Sequence, residues 1–361
     1  MLDVGKTDCR LMKKIRVLIV EDSRVIREFL EHIIGHDPRL EIVGAVGTAE
    51  EALGMLERAS PDVISMDIRL PGMNGFEATQ RIMAERPTPI VVVSASVENE
   101  DLRVTMNALH AGALTVLEKP VGTTSAEYEA LAERLCTQLA IMSQVKVVRR
   151  RAAMALNQHP TSRIQHPYTG GYRMLGIVTS TGGPSALVQV LGMLGSDFRL
   201  PILVVQHITG SFLEGFASWL ESACPFSVVV VRDRVIPLAG TAYLATQDRH
   251  LRLEGGVLQV DAGDPVCAQR PSGTVLFESM AKTLGAGALG ILLTGMGEDG
   301  AAGLLQLRKG GGYTIAENES TAVVYGMPAE AVRLGAVCES LPLPAIAPRI
   351  LELTLSKREV A

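Results

Sequence analysis

Three apolar runs in this chain each give way to a polar residue with catalytic potential. Leu175 to Val178 leads to Ser180-Thr181-Gly182-Gly183-Pro184. Ile202 to Val205 leads to Gln206-His207, and Ile291 to Leu293 leads to Thr294-Gly295-Met296-Gly297-Glu298-Asp299-Gly300. A serine hydroxyl is a weak nucleophile until a base takes its proton. Imidazole titrates near neutral pH and makes His207 the candidate base. Asp299 would orient that ring and stabilise its charged form, and backbone N–H groups around Met296 and Gly297 could face an oxyanion. Ser180 lacks the GxSxG elbow, and the order serine, histidine, aspartate differs from the familiar ones, although such a triad is defined by geometry. Plainer readings stand beside this one. Ser180 before two glycines could cap a helix, His207 could be structural or solvated, and the Gly295–Gly300 stretch could be a loop or an anion nest. His250 competes as a base, but Asp248-Arg249-His250 reads as an edge turn.

A second constellation lies upstream. Glu21 and Asp22 follow the run Ile15 to Val20, and Asp67 follows Val63 to Met66. Three acids in one pocket repel each other unless a cation joins them, and such oxygen ligands suit Mg²⁺ shared with a phosphoryl group. Ser94 ends a fourth apolar run and Lys119 a fifth; a hydroxyl and an ammonium there could hold the oxygens of a phosphate on Asp67. Each acid alone reads as an ordinary surface residue at a strand end. Five positions at four strand ends favour a site.

The elements that must position these groups alternate in type. Residues 14–143 read as five βα units: strands at Ile15–Val20, Ile42–Val46, Val63–Met66, Ile90–Val93 and Leu114–Leu117, with a turn at Pro71-Gly72-Met73-Asn74-Gly75. Ser23 can cap a first helix whose apolar positions are Val25, Ile26, Phe29, Leu30, Ile33 and Ile34, and Ala49–Ala59 forms a second. Short loops between such units imply a parallel sheet wrapped by helices. Residues 144–173 form a basic interdomain linker, with Lys146, Arg149, Arg150, Arg151, Arg163 and Arg173 and no acid among them; a nucleic-acid arm is the alternative. Residues 174–355 form a second, doubly wound and mostly parallel α/β domain. Within it Thr241–Val260 reads as antiparallel, an edge hairpin turning at Glu254-Gly255-Gly256.

Composition bounds the function class. At 361 residues there is chain enough for two cores. A formal charge of -5 gives no general reason to expect nucleic-acid binding. Apolar runs are short of the ~20 residues a membrane helix needs, so no direct membrane insertion is expected. The five cysteines, Cys9, Cys136, Cys224, Cys267 and Cys338, form no CxxC pair, which argues against a zinc site or disulfide framework and for a cytoplasmic location.

The first half closely resembles a two-component response-regulator receiver domain, on Glu21-Asp22, Asp67 with Pro71-Gly72-Met73-Asn74-Gly75, Ser94-Ala95 and Lys119-Pro120. The resemblance implies a flavodoxin-like (βα)5 fold and phosphorylation of Asp67 by a chemotaxis histidine kinase. It also implies Mg²⁺ held by Glu21, Asp22, Asp67 and a carbonyl near Arg69, with the phosphate sensed by Ser94 and Lys119. Thr115-Val116-Leu117 stand where the family usually has an aromatic residue, which shifts the expected coupling towards Ser94. Residues 174 to 350 resemble the catalytic domain of the CheB family of chemotaxis protein-glutamate methylesterases. The motifs are Ser180-Thr181-Gly182-Gly183-Pro184, Val205-Gln206-His207, Arg270-Pro271-Ser272, Leu293 to Ala301, and Val324-Tyr325-Gly326-Met327-Pro328.

This second resemblance carries Ser180, His207 and Asp299 over as a triad and places Met296 and Gly297 in the oxyanion region. It implies a phosphorylation-activated hydrolase, with no cofactor for the esterase step. Its substrates would be glutamyl methyl esters on methyl-accepting chemoreceptors, with deamidation of receptor glutamines as a second activity. Val178-Thr179 add bulk beside the nucleophile where Gly-Ala is common, and Glu317-Asn318 replace the usual Gln-Asp. Ile208-Thr209-Gly210-Ser211 and Thr246-Gln247 are further departures. The alternative is a phosphorylation-controlled receptor-binding regulator with an inactive hydrolase-like domain. A DNA-binding regulator is the weakest reading, for want of a helix-turn-helix and basic patch.

Overall fold

In the computed structural model, residues 13–94, 105, 107–109, 111–119, 125–145, 147 and 171–354 are described. The chain divides into two compact units with separate parallel sheets. Cys9, Pro120 and the basic residues Lys146, Arg149, Arg150, Arg151 and Arg163 of the expected linker lie outside the described residues.

In the first unit the strands are β1 (Ile15–Val20), β2 (Leu40–Val46), β3 (Val63–Met66), β4 (Ile90–Ser94) and β5 (Thr115–Glu118), in the order β2-β1-β3-β4-β5. Pairing of β1 with β2 and β3, and of β3 with β4, is parallel. β3 and β4 are buried along their whole length, which is why they read as unbroken apolar runs. The order reverses direction between β1 and β3, and their carboxyl ends therefore open a crevice that no crossover fills.

Helices α1 (Arg24–His36), α2 (Ala49–Ala59), α3 (Gly75–Glu85) and α4 (Ser125–Met142) belong to the same unit. Leu30, Ile33 and Ile34 bury the core stripe of α1. Val25, counted on that stripe from the sequence, is instead 77% exposed, because a position one residue before Ile26 is rotated off it. Ser23 stands at the N-cap of α1 but its hydroxyl makes no cap; its N–H reaches back to Glu21 Oε1 instead. Thr48 does cap α2, and Asn74 with Glu77 forms a reciprocal capping box on α3.

The second unit carries seven strands in the order β14-β13-β12-β6-β7-β9-β8. Its chain order is β6 (Met174–Thr179), α5 (Gly183–Leu194), β7 (Ile202–Gln206), α6 (Gly210–Ala223), β8 (Ser227–Val231) and β9 (Thr241–Ala245). There follow β10 (His250–Glu254), β11 (Val257–Asp261), α7 (Gly273–Leu284), β12 (Ala288–Leu292), α8 (Ala301–Lys309), β13 (Tyr313–Glu317), α9 (Met327–Arg333), β14 (Glu339–Leu341) and α10 (Leu343–Thr354). Every pairing within this sheet is parallel. The antiparallel hairpin exists as β10 and β11, turning at Gly255-Gly256, but it forms a separate two-stranded sheet. Thr241–Ala245, expected to be antiparallel, pairs in parallel with β7 and β8 because its buried run belongs to the main sheet.

β6 lies at the second reversal of strand order, between β12 and β7. Helix α7 covers β6 and β12 there. Its Phe277 and Met280, both fully buried, fill the space left by Gly176 and Gly290, where a Cβ would come within 2.5 Å of the Met280 sulfur and 3.4 Å of the Phe277 ring. Trp219, on α6, is buried and is the only tryptophan of the chain, so its fluorescence reports this unit alone. Phe277→Ala removes the ring that seats α7 on the sheet; a loss of about 3–5 kcal/mol is expected, read as an earlier Trp219 transition in urea.

Candidate active site and receiver site

The carboxyl ends of β6, β7 and β12 converge by register. Thr179 pairs with Gln206, and the His207 N–H donates to Thr179 O at 3.0 Å, so Ser180 and His207 stand side by side just past neighbouring strands. The Ser180 N–H donates to Thr294 O at 3.0 Å, joining the same turn to the end of β12. Ser180 is half-buried, and its hydroxyl has no hydrogen bond among the described residues. The helix-cap reading of this serine does not hold: Gly182 occupies the N-cap of α5. Gly182 has φ +79°, and a Cβ there would lie 2.6 Å from Val323, so both conformation and space demand glycine.

His207 Nε2 lies 2.9 Å from Asp299 Oδ2, which leaves Nδ1 as the nitrogen available for proton transfer. Asp299 is buried at the N-terminus of α7. The Ser272 hydroxyl donates to Oδ1 at 2.5 Å, the Gly273 N–H to Oδ2 at 2.6 Å and the Thr274 N–H to Oδ1 at 3.2 Å. Burial alone would raise this carboxyl, but His207, Ser272 and Gly273 outweigh it and hold Asp299 below the usual carboxylate range. Helix-terminal N–H groups favour an anion at this place.

Met296 and Gly297 occupy an exposed loop, and neither backbone N–H donates a hydrogen bond among the described residues. The loop is tied down on both sides, with Gly326 and Met327 N–H donating to Gly295 O. Beside it opens a cleft of about 540 Å³ lined by residues including Gly297, Glu298, Tyr325 and Arg333.

His250 is not the edge turn expected of it. It is fully buried at the start of β10, with Nε2 2.9 Å from Asp264 O and Nδ1 accepting the Ser272 N–H at 3.2 Å. It therefore supports the residue that holds Asp299. Val178 and Thr179, the bulky departures before the serine, both have their side chains in the core. Val178 is buried in the space that side chains at Gly273 and Gly300 would need, and the Thr179 hydroxyl donates to Thr294 O at 3.0 Å. The motifs include Ser272, Gln206 and Thr294, and Glu317 is a departure from the family pattern, but the sequence assigns none of them a role; together with Thr274 they support the site. Gln206 Nε2 donates to both Ser180 O, at 2.8 Å, and His207 O, at 3.0 Å, bracing the two against each other. Its sequence signals are its place in Val205-Gln206-His207 and a polar type closing an otherwise apolar strand.

In the first unit Glu21, Asp22 and Asp67 each place a carboxylate oxygen within 4.8 Å of the others, at the crevice between β1 and β3. Glu21 and Asp67 are buried and Asp22 is exposed. Lys119 Nζ bridges the buried pair, 2.8 Å from Glu21 Oε2 and 2.9 Å from Asp67 Oδ2. Burial, then the Asp67 charge, pushes Glu21 up to about 7, and burial raises Asp67 despite Lys119. Carboxyls so displaced are short of positive charge, and an all-oxygen donor set of this kind fits Mg²⁺. Ser94 is buried at the end of β4, and its carbonyl accepts the Lys119 N–H at 3.0 Å, which fixes the root of the lysine. Gly75 opens α3 hard against this site: a Cβ would fall 2.2 Å from Asp67 O. Asn74, which caps α3, and Glu50, whose Oε1 accepts the Met73 N–H at 3.2 Å, hold the loop after Asp67.

The family model described as CheB methylesterase matches residues 175–350, and that of the response regulator receiver domain matches residues 17–128. A protein-glutamate methylesterase/protein-glutamine glutaminase of Paramagnetospirillum magneticum is 56% identical over 348 residues, 96% of this chain and 99% of that protein. The chain belongs to the protein-glutamate methylesterase/protein-glutamine glutaminase family. A relative of the same description from Nitrosospira multiformis is 40% identical over 96% of this chain and 98% of its own length. Among solved structures, the Thermotoga maritima CheB methylesterase catalytic domain is 31% identical, covers 51% of this chain and 100% of that one, and has a TM-score of 0.49.

The Asp299 cradle of this methylesterase-family chain has a measurable consequence. A carboxyl depressed on folding contributes stability that is present above its unfolded pKa and is lost as pH falls through the lower, folded value. Ser272→Ala removes one hydrogen bond to the charge, at a cost of about 1.5–3 kcal/mol near neutral pH. The acid unfolding of the variant, followed by Trp219 fluorescence, is expected to begin at higher pH than that of the native chain.

Proposed function

We propose that residues 174–355 form a serine hydrolase that cleaves glutamyl methyl esters on chemoreceptors. In this reading residues 14–143 form a receiver that switches it on, and residues 144–173 are the linker. The observation that carries the proposal is the His207–Asp299 pair at 2.9 Å beside the Ser180 turn, where three strand ends meet.

The Ser180 hydroxyl attacks the ester carbonyl while His207 Nδ1 takes its proton. Asp299, bound to Nε2, holds the ring in that orientation and stabilises the imidazolium. The N–H groups of Met296 and Gly297 face the oxyanion, a contribution of about 3 kcal/mol for each donor. His207 returns the proton to the departing methoxide, and methanol leaves. Water, deprotonated by the same imidazole, then attacks the acyl-enzyme and releases a glutamate carboxylate and free Ser180. A receptor glutamine passes through the same steps with ammonia as the leaving group. Ser180 is half-buried and the Met296–Glu298 loop beside it is exposed, which suits a macromolecular substrate.

Asp67 accepts a phosphoryl group from a chemotaxis histidine kinase, with Glu21, Asp22 and Asp67 holding Mg²⁺. The metal would supply charge neutralisation for the transfer. Lys119, now paired with Glu21 and Asp67, would follow the phosphate, and Ser94 would sense it. Kinase, receptor tail and hydrolase would meet in the cytoplasm; among the described residues no helix is long and apolar enough to cross a membrane.

Two outcomes test this reading. Ser180→Ala is expected to lower methanol release from methylated receptor by ~10³-fold or more while the chain stays folded. Full release by that variant would remove the serine mechanism and favour the inactive binding regulator. Acetyl phosphate with Mg²⁺ is expected to raise the native rate, and Asp67→Ala to abolish the rise. Equal rates with and without phosphodonor would remove the switch.

A further inference from the structure

Glu317, the last residue of β13, is fully buried beside the end of β12. Its Oε2 accepts the Thr294 N–H at 2.9 Å, and its Oε1 has no hydrogen-bond partner among the described residues. The residue it grips makes several further hydrogen bonds at this end of the sheet. The Thr294 carbonyl accepts the Ser180 N–H at 3.0 Å and the Thr179 hydroxyl at 3.0 Å. The Thr294 hydroxyl donates to Thr181 O at 2.9 Å and accepts the Val324 N–H at 2.9 Å. One residue therefore fixes the serine peptide, the residue after the serine, and the entry to the Gly295–Gly297 loop.

We propose that Glu317 is a positioning residue of the hydrolase site, a buried carboxyl that clamps the Thr294 peptide and through it the Ser180 turn. The proposal rests on the reading of Ser180 as nucleophile. A carboxylate buried with one accepted hydrogen bond and no counter-charge is far costlier than the neutral acid. No described basic group forms an ion pair with Glu317. The charged groups on the elements packed against β13 are engaged elsewhere. Glu339 of β14 pairs with Arg349 of α10, which also binds Glu352. Glu330 and Arg333 of α9 pair with each other, Arg308 of α8 binds the Gly335 and Val337 carbonyls, and Lys309 of α8 is exposed. Burial pushes the Glu317 carboxyl above its usual range, and the Thr294 N–H draws it only partly back.

Ionisation as pH rises would then leave a lone charge in the core. The side chain must admit water or move, and either releases Thr294. The chemical step suffers because the serine is displaced, whereas the receptor-facing surface is untouched. The same proton bears on stability. An acid whose pKa is raised on folding contributes stability that is full below its unfolded pKa and is lost as pH rises through the folded value.

The test uses the full-length chain and methylated receptor. Glu317→Ala is expected to lower kcat about tenfold or more with KM within about twofold, the size of one lost buried hydrogen bond. Glu317→Gln keeps a carbonyl acceptor in the same shape but cannot ionise. It is expected to restore kcat and to remove the fall of the native rate that accompanies Glu317 ionisation as pH rises. Its thermal midpoint, relative to the native one, is expected to climb as pH rises above the ordinary carboxylate range. Identical pH profiles of rate and midpoint for Glu317→Gln and the native chain would overturn the proposal, as would full kcat in a folded Glu317→Ala. Ser180→Ala runs in the same assay. If it stays active, the nucleophile reading has failed; if it is inactive while Glu317→Gln tracks the native chain, only the clamp has failed.

Discussion

A buried negative charge at the first turn of α7 is the constraint on which the hydrolase unit depends. Asp299 is removed from water, and an isolated carboxylate there would protonate or pull the loop open. It remains a charge because the Ser272 hydroxyl and the Gly273 and Thr274 N–H groups enclose it and His207 approaches from the other side. The cradle has its own support, since His250 accepts the Ser272 N–H from behind. A ring of this kind restricts the freedom of every member at once. The imidazole cannot turn without breaking its bond to Asp299, and Asp299 cannot follow it without leaving the helix terminus.

Both units place ionisable groups at a reversal of strand order, yet they treat charge in opposite ways. In the hydrolase unit the surroundings donate to Asp299 and depress it. In the receiver unit two buried carboxyls lie together with only Lys119 between them, and both are raised. The first arrangement is complete: donors match acceptors, and the aspartate needs nothing further to stay charged. The second is short of positive charge, which is the electrostatic condition for taking up a divalent cation. The crevice is a consequence of topology in both cases, and the residue types around it decide whether it holds a charge or waits for one.

Buried parallel strands are apolar along their whole length, and for that reason β3, β4, β6 and β7 were legible as runs ending at Asp67, Ser94, Ser180 and His207. Run length and the residue after it located the sites. What run length does not carry is which run pairs with which. Thr241–Ala245 preceded a true hairpin and was read as part of it, but its partners β7 and β8 were settled by burial in the main sheet. His250 looked like a turn residue because Asp248 and Arg249 precede it. Its burial depends on β10 packing against α7, a contact between distant segments. Ser272 and Thr294 act through hydrogen bonds to residues far away in the chain, and no spacing rule assigns those partners. Ser23 and Val25 show the same limit locally: a cap residue and an apolar residue were present, but Glu21 and the helix phase decided their use.

The departures at positions 178 and 179 illustrate how a strand absorbs a change next to a nucleophile. Side chains alternate across a strand, so residues just before Ser180 need not point where the serine points. Val178 is turned towards α7 and the Gly300 turn, where the lack of side chains at Gly273 and Gly300 makes room for its methyl groups. Thr179 is fully buried and spends its hydroxyl on the Thr294 carbonyl, the same oxygen that receives the Ser180 N–H. The bulk that threatened the active site on paper is thus converted into packing and one more bond to the residue that fixes the serine. An argument for an inactive hydrolase-like domain based on these two substitutions is weakened, because both side chains are buried in the core and one of them tightens the turn that carries the serine.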